Sequence, residues 1–395
     1  MGWSDIMTEK LYYNDVYIKE SFCKITESIE QEGKLLIVLD KTPFYPEGGG
    51  QPSDIGRIGD AAVSYVYEKG DKIYHEVDKL PEGEEVLCSI DYSRRFDHMQ
   101  QHSGEHILAA VFYKLYGAIS QGFHMGEDYV SIDLNFSDIS AEEVKRVEAT
   151  VNEHIYSNVP VNTFMVTSEE SKSLELRKRV ESEEQIRIVQ IGEVDACACC
   201  GTHVKYTGEI GLLKILKTER YKGMTRVYFK CGKRAFQDYS LKQDTVNNLV
   251  KTLSTGEGEL LEKVKNDAAE LKSMGRKLGE YKKKLSDYET QRLRQNASES
   301  LVSYIYEDKE ADEVQMIAEQ LSVDNLFVVL GSSLSGNIIV FSGGEYAMNV
   351  GQFFKDNIKN FNGKGGGSPK RAQGSFSSLE DMKAFVHKLL ETLKG

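Results

Sequence analysis

Residues 96–116 read FDHMQQHSGEHILAAVFYKLY, and their periodicity predicts one amphipathic helix. Phe96, Met99, Ile107, Leu108, Val111, Phe112 and Leu115 give it an apolar side. His102 and His106 stand four residues apart, so they project one above the other from a single face. Two imidazoles need that spacing to hold one metal ion. Farther along, CACCGTHV places Cys199 and His203 four residues apart as well. Three imidazoles and a thiolate suit tetrahedral Zn2+, which makes His102, His106, Cys199 and His203 the candidate ligands. Cys197 and Cys200 flank Cys199, and the sequence leaves open that either replaces it. His98 shares the face of His102, but four donors already suffice. HSGEH departs from the zinc-protease order, in which glutamate directly follows the first histidine; residue 103 is Ser, so peptide hydrolysis by that route is not expected.

Upstream lies TPFYPEGGGQPSDIG, residues 42–56. Gly48, Gly49 and Gly50 in a row permit positive φ or the close approach of another group. The stretch reads either as a tight hairpin or as a backbone loop lining a ligand, with Thr42, Gln51 and Asp54 turned toward it. Around it, residues 35–39, 62–67, 73–77 and 86–90 read as strands, and the links between them carry Gly, Pro, Asp and Asn. Residues 1–92 are therefore expected to form a small N-terminal β-barrel.

Residues 93–245 read as an α/β, zinc-containing domain. After the histidine helix come strands at 129–135, 162–166, 186–191, 208–216 and 225–231, a helix at 142–156 started by Ser140, and a short helix near Ala235. Eight basic residues fall between Lys214 and Arg234, opposed in that span only by Glu219, and read as a local basic patch. Residues 246–296 form a helical arm: Leu261, Val264, Ala268, Leu271, Met274, Leu278, Tyr281, Leu285 and Tyr288 make a narrow apolar seam, interrupted by Gly275 and Gly279. Residues 297–395 read as a C-terminal α/β domain, with strands at 325–330 and 337–341 and helices at 347–358 and 379–393. Between these helices, GKGGGSPKRAQGS reads as a glycine-rich basic loop without the order of a phosphate loop. The fold class expected is multi-domain α+β.

The chain has 395 residues, more than one domain on length alone. Six cysteines in that length do not make a disulfide framework. No apolar run is long enough to span a membrane, and MGWSDIMTEK has no signal-peptide core. A cytoplasmic protein is expected. The net charge of −13 argues against a general nucleic-acid binder without excluding local patches.

In this order, GGGQPSDIG with Thr42, then HSGEH, then CCGTHVKYTGEIG resemble the editing domain of alanyl-tRNA synthetases, and more closely the free-standing alanyl-tRNA editing proteins called AlaX. The helical arm and GKGGGSPKRAQGS resemble the C-terminal domain of the same synthetases, also present in the long form of AlaX. The aminoacylation domain, with its ATP signatures, has no counterpart here. The resemblance implies a deacylase acting in trans. Its substrate would be serine, and less specifically glycine, wrongly esterified to tRNA(Ala), with Ala-tRNA(Ala) spared. It puts the ligands on His102, His106, Cys199 and His203, and sets Thr42, Gly49, Gly50 and Gln51 beside the substrate amino acid. Cys200 stands where the common CGGTH pattern has glycine. Ser368, Pro369 and Lys370 vary an Arg-Pro-Asp-like stretch of the C-terminal domain. The seam of the arm invites a second copy of the chain. Rival readings are an editor of another mischarged tRNA, such as Ser-tRNA(Thr), and a non-catalytic, zinc-stabilised tRNA-binding protein.

Overall fold

The computed structural model describes residues 7–178, 185–297, 300–346 and 348–394. The chain divides into two compact units, Met1–Asn248 and Leu249–Gly395.

In the first unit, β1 (Glu20–Gln31), β2 (Lys34–Leu39), β3 (Gly56–Ile58), β4 (Ala61–Lys69), β5 (Lys72–Val77) and β6 (Glu85–Ile90) pair in the order β1-β2-β5-β4-β3-β6, and β6 returns to β1. The ring joins through β3, which is only three residues long. Inward side chains include Cys23, Ile37, Leu39, Val63, Val66, Ile73 and Cys88. β1 was not among the expected strands, because its alternation is polar: ESFCKITESIEQ buries only Cys23 fully.

The helix α1 (Tyr92–Tyr116) follows directly. Asp91 caps it by accepting from the Arg94 N–H, and Gly117 ends it at φ 65°, a left-handed turn that glycine adopts without strain. Its core packs against β7 (Ser120–Met125), β8 (Val130–Leu134), α2 (Ala141–Tyr156), β12 (Leu213–Tyr221) and β13 (Met224–Cys231). The last four strands named here as β12, β13, β8 and β7 lie in that order in one antiparallel sheet. A second antiparallel sheet holds β9 (Val161–Val166), β10 (Ile186–Ile191) and β11 (Asp195–Ala198). The start of α2 has the capping box its sequence promised: Ser140 and Glu143 satisfy each other's backbone N–H groups.

The second unit holds most of α4 onward, after α3 (Gly232–Leu253) carries the chain across the division. α4 (Leu260–Gln295) runs 36 residues through Gly275 and Gly279 without a break. Leu261, Val264, Leu271, Met274, Leu278, Tyr281, Leu285 and Tyr288 stay exposed along it in the single chain. The sheet of this unit pairs β14 (Leu301–Tyr306), β15 (Phe327–Ser332), β16 (Asn337–Phe341), β18 (Arg371–Phe376) and β17 (Gly363–Ser368) in that order. α5 (Ala311–Ser322), α6 (Val350–Asn357) and α7 (Leu379–Lys394) complete it.

These findings correct the expected fold class. The N-terminal strands do not stand as a separate small β-barrel followed by an α/β domain: they share one unit with the histidine helix, and the sheets that flank that helix are antiparallel throughout. The C-terminal sheet is mixed, with β14 and β15 its parallel pair. The expected strand at 208–216 begins instead as a 3-10 turn, Thr207–Ile210, before β12. The glycine-rich stretch after residue 362 is not a loop but the hairpin β17–β18, where Gly365 and Gly367 lie so close to the neighbouring strand that a Cβ would strike its backbone. Of the helix expected from Ala347, the first residue lies outside the described residues and the helix itself starts at Val350. Residues 1–6 of the N-terminal stretch also lie outside them. Among the described residues no helix is long and apolar enough to cross a membrane.

One ion pair fastens the glycine loop to α1. Arg95 and Asp54 are wholly buried and bonded through two guanidinium nitrogens. Arg95 also donates to the carbonyls of Val16 and Pro43, while Asp54 accepts from the Tyr45 N–H at 2.7 Å. Asp54 therefore faces the helix and not a ligand. Removing one partner strands the other charge in the interior, so Arg95→Met is expected to cost about 3–5 kcal/mol in urea denaturation. A loss under about 1 kcal/mol would place the pair among weak surface contacts.

Candidate metal centre

The structure brings His102, His106, Cys199 and His203 together, with donor atoms all within 4.8 Å of one another. Cys199 Sγ lies 3.4 Å from His102 Nε2 and 3.4 Å from His203 Nε2. Tetrahedral zinc with bonds of about 2.0–2.3 Å would separate its donors by similar distances, so the donor set fits that ion. Cys197 and Cys200 lie outside the cluster, and Cys200 is exposed.

Each histidine turns its other nitrogen to a partner. His102 Nδ1–H donates to Gln51 Oε1 at 2.9 Å, and His106 Nδ1–H donates to Asp195 Oδ2 at 2.9 Å. His203 Nδ1 lies 3.2 Å from Ser103 Oγ. Arg177 in turn grips both oxygens of Asp195, at 2.8 and 3.3 Å. Partners of this kind fix the ring orientation and tautomer, leaving the Nε2 lone pairs turned inward. Burial would push the Cys199 thiol up, but His102 and His203 beside it hold it well below the usual thiol range. Burial, and His102 next to it, push His203 down to about 3, so its imidazole is neutral. Burial also opposes the charge on His106, yet the bond to Asp195 keeps its pKa well above the ordinary value. His98, the extra histidine of the face, is neutral: burial and Arg94 push it down to about 3.

The turn that delivers Cys199 is built by close contacts. A Cβ at Gly201 would lie 2.1 Å from His102 Cε1. The Gly201 N–H donates to Cys199 Sγ at 3.3 Å. Arg187 Nη1 donates to the carbonyls of Cys199 and Gly201 at 2.8 and 2.9 Å, and its guanidinium sits 4.6 Å from the centre of the Tyr13 ring. The Tyr13 hydroxyl closes the same turn by donating to the Cys200 carbonyl.

The glycine loop meets this cluster through Gln51. Gln51 Oε1 accepts from both His102 and the Thr202 N–H, and its Nε2 donates to Thr202 Oγ1 at 2.9 Å. Gly48 and Gln51 bond across a two-residue turn in which Gly49 and Gly50 have φ 60° and 83°. A Cβ on Gly50 would meet Phe123, whose ring stacks on His102. Among the described residues the N–H groups of Gly49 and Gly50 carry no backbone hydrogen bond. Two such donors in succession make a concavity for an anionic oxygen.

Thr42 is placed differently from Gln51. It is buried, 2.8 Å from His75 Nε2, and accepts from the Phe44 N–H at 3.1 Å. His75 Nδ1–H donates to the Ile37 carbonyl, so Thr42 O–H is the donor to Nε2. Burial pushes His75 down to about 4, which keeps it neutral. Nothing in the sequence singled out His75, Asp195, Ser103, Arg187 or Phe123.

The basic patch is also altered. Lys214 pairs with Glu148, Lys217 with Glu219, Arg220 with Asp138, Arg226 with Asp133, Lys230 with Asp238 and Arg234 with Asp97. Most of its charge is balanced within the fold.

A cluster of three imidazoles and a thiolate, coupled by Gln51 to a glycine turn, defines a metal-type hydrolytic centre on an α+β scaffold. Residues 186–228 match the family described as threonyl and alanyl tRNA synthetase second additional domain, and residues 4–94 match tRNA synthetases class II (A). The chain is 32% identical over 391 residues to the alanyl-tRNA editing protein AlaX-L of Pyrococcus horikoshii, covering 93% of this chain and 94% of that one. It is 30% identical to an alanyl-tRNA editing protein of Xenopus laevis, over 90% of this chain and 87% of the other. An alanine–tRNA ligase of Pyrococcus furiosus is also 30% identical; the match takes in 98% of this chain but only 44% of the ligase. The chain belongs to the alanyl-tRNA editing protein family.

Asp195→Asn keeps the size of the side chain but removes its charge from behind His106. A 10–100-fold loss of zinc affinity is expected in competition with a chromophoric chelator. Affinity unchanged within twofold would show that His106 is not a ligand.

Proposed function

We propose that this chain hydrolyses the ester of serine, and less readily of glycine, wrongly attached to tRNA(Ala), and spares Ala-tRNA(Ala). Membership of the editing family supports deacylation in general. The observation that carries the reading to this site is Gln51, which joins the glycine turn and the metal-type cluster in one hydrogen-bonded array.

His102, His106, Cys199 and His203 would hold zinc. Bound there by four protein donors, zinc supplies a fixed positive charge that orders the site and orients the substrate. An aminoacyl ester is already activated, so the chain's own task is to place it and receive the charge that develops on its carbonyl oxygen. The free N–H groups of Gly49 and Gly50 are the donors we assign to that oxygen. Gln51 holds the turn against His102 so that these donors keep their direction.

Discrimination rests on one hydroxyl. A site that hydrogen-bonds the serine side chain is left with an unpaired polar group when alanine enters. We assign that contact to Thr42: after bonding His75 and Phe44 its oxygen keeps one lone pair, which a serine hydroxyl can fill. Thr42 is buried, so the contact needs the glycine turn to yield.

Four protein donors also suit a purely structural zinc site, in a protein that binds tRNA without cleaving it. Release of radiolabelled serine from Ser-tRNA(Ala), with Ala-tRNA(Ala) as control, separates the two. The editing reading expects serine to be lost, alanine kept, and activity abolished in His102→Ala/His106→Ala. It also expects Thr42→Val to narrow the serine-to-alanine ratio about tenfold or more while Thr42→Ser keeps it. Tight binding of both tRNAs with both esters intact would establish the structural reading.

We further place a second copy of the chain along the exposed apolar seam of α4. A Leu271→Lys/Leu278→Lys chain should then sediment at half the mass of the parent. Equal masses would reject pairing through the seam.

A further inference from the structure

The antiparallel sheet β12-β13-β8-β7 has two unlike faces. Strand side chains alternate between faces, so the pairing register shows which residues share one. Val130, Ile132, Leu134, Val227 and Phe229 face the core with α1. On the opposite face the register lays out two rows across the strands. Lys217, Tyr228, Ser131 and His124 form one row; Glu219, Arg226, Asp133 and Gly122 form the other.

That opposite face is open and aromatic. A cavity of about 390 Å3 lies on it, lined by Gly122, Phe123, His124, Tyr129, Ser131, Asp133 and Arg226. Tyr129 stands at its rim, 43% exposed, in edge contact with Tyr228 at 4.9 Å. Lys217 lies 4.3 Å from the centre of the Tyr228 ring, and Arg226 lies 3.6 Å from that of Tyr221. Arg226 is held flat by Asp133, at 2.6 and 2.7 Å. Rings and cations are thus interleaved, and each cation on this face has an acid beside it.

We propose that this face takes the unpaired 3′ end of the tRNA, with a base stacked on Tyr129. A four-stranded sheet with exposed rings on one face is a platform for unpaired bases, which stack on any aromatic surface without regard to sequence. The balanced charges rule against a phosphate-driven surface, so the contact is made by stacking and by the fixed guanidinium plane of Arg226. The face also adjoins the metal centre at its edge strand. In β7, Phe123 turns inward onto His102 while its neighbours Gly122 and His124 turn outward onto the platform. An RNA end lying on the platform is therefore one strand's thickness from the cluster, where the terminal ester has to arrive. Gly122 keeps the floor low, since a Cβ there would approach the Asp133 carboxylate at 3.4 Å.

The inference rests on the tRNA-editing reading, but its test needs no catalysis. Binding of uncharged tRNA is measured by fluorescence anisotropy, with the intact molecule and with one lacking its last four nucleotides. The parent chain should bind the intact tRNA about tenfold more tightly, the worth of one stacked base. Tyr129→Ala should abolish that difference and Tyr129→Phe should preserve it within twofold. The difference should also survive a rise in salt that weakens both complexes. Equal affinity of the parent chain for both tRNAs, or a difference kept in Tyr129→Ala, would overturn the platform. Loss of serine deacylation with the tail-dependent difference intact would overturn the editing reading and leave the platform standing.

Discussion

The buried pair of Arg95 and Asp54 sets the geometry on which the rest of this unit depends. Neither charge can stay in the interior without the other, so the end of the glycine loop has to meet α1 at one point. That point lies on the helix face that carries His102 and His106, seven and eleven residues farther on. Fixing the loop there brings Gln51 level with the His102 ring. The N-terminal strands and the histidine helix consequently act as one piece. This is the physical reason that the strands before residue 92 do not form a domain of their own.

Around the cluster the same logic recurs at shorter range. Each imidazole is oriented from behind, by an amide, a carboxylate or a hydroxyl, and the carboxylate is itself held by Arg177. The cysteine turn is held from the other side by Arg187 and Tyr13. A preformed donor set binds a metal without first paying to order its side chains. It also leaves the glycine turn as the flexible member of the site: its two central residues have positive φ, and a Cβ on Gly49 would meet nothing. A substrate that has to reach Thr42 would move that turn and not the cluster.

The helix and its two histidines were legible because a helical period and a four-residue spacing are local properties. The pairing of Cys199 with His203 was legible for the same reason, and the choice of Cys199 over its neighbours was not, since it depends on Gly201 packing onto His102. Gln51, Ser103 and Asp195 became partners of the cluster only through folding, which joins residues about 50 to 100 positions apart. Charge was misread for a like reason. The basic stretch looked unopposed because five of its acids, Glu148, Asp138, Asp133, Asp238 and Asp97, lie outside the span. The strand Glu20–Gln31 escaped notice because one face of it meets water. The hairpin at Gly363–Phe376 escaped because glycine there serves close strand packing as well as turns.

Zinc K-edge absorption on the zinc-loaded chain tests the central claim, that the fold presents a complete donor set of its own. Three nitrogens at about 2.0–2.1 Å and one sulfur at about 2.3 Å, with no oxygen, is the result this geometry requires. A second sulfur would mean that Cys197 or Cys200 enters the site. A light-atom shell lacking sulfur would mean that Cys199 is not a ligand and that the cluster does not close as described.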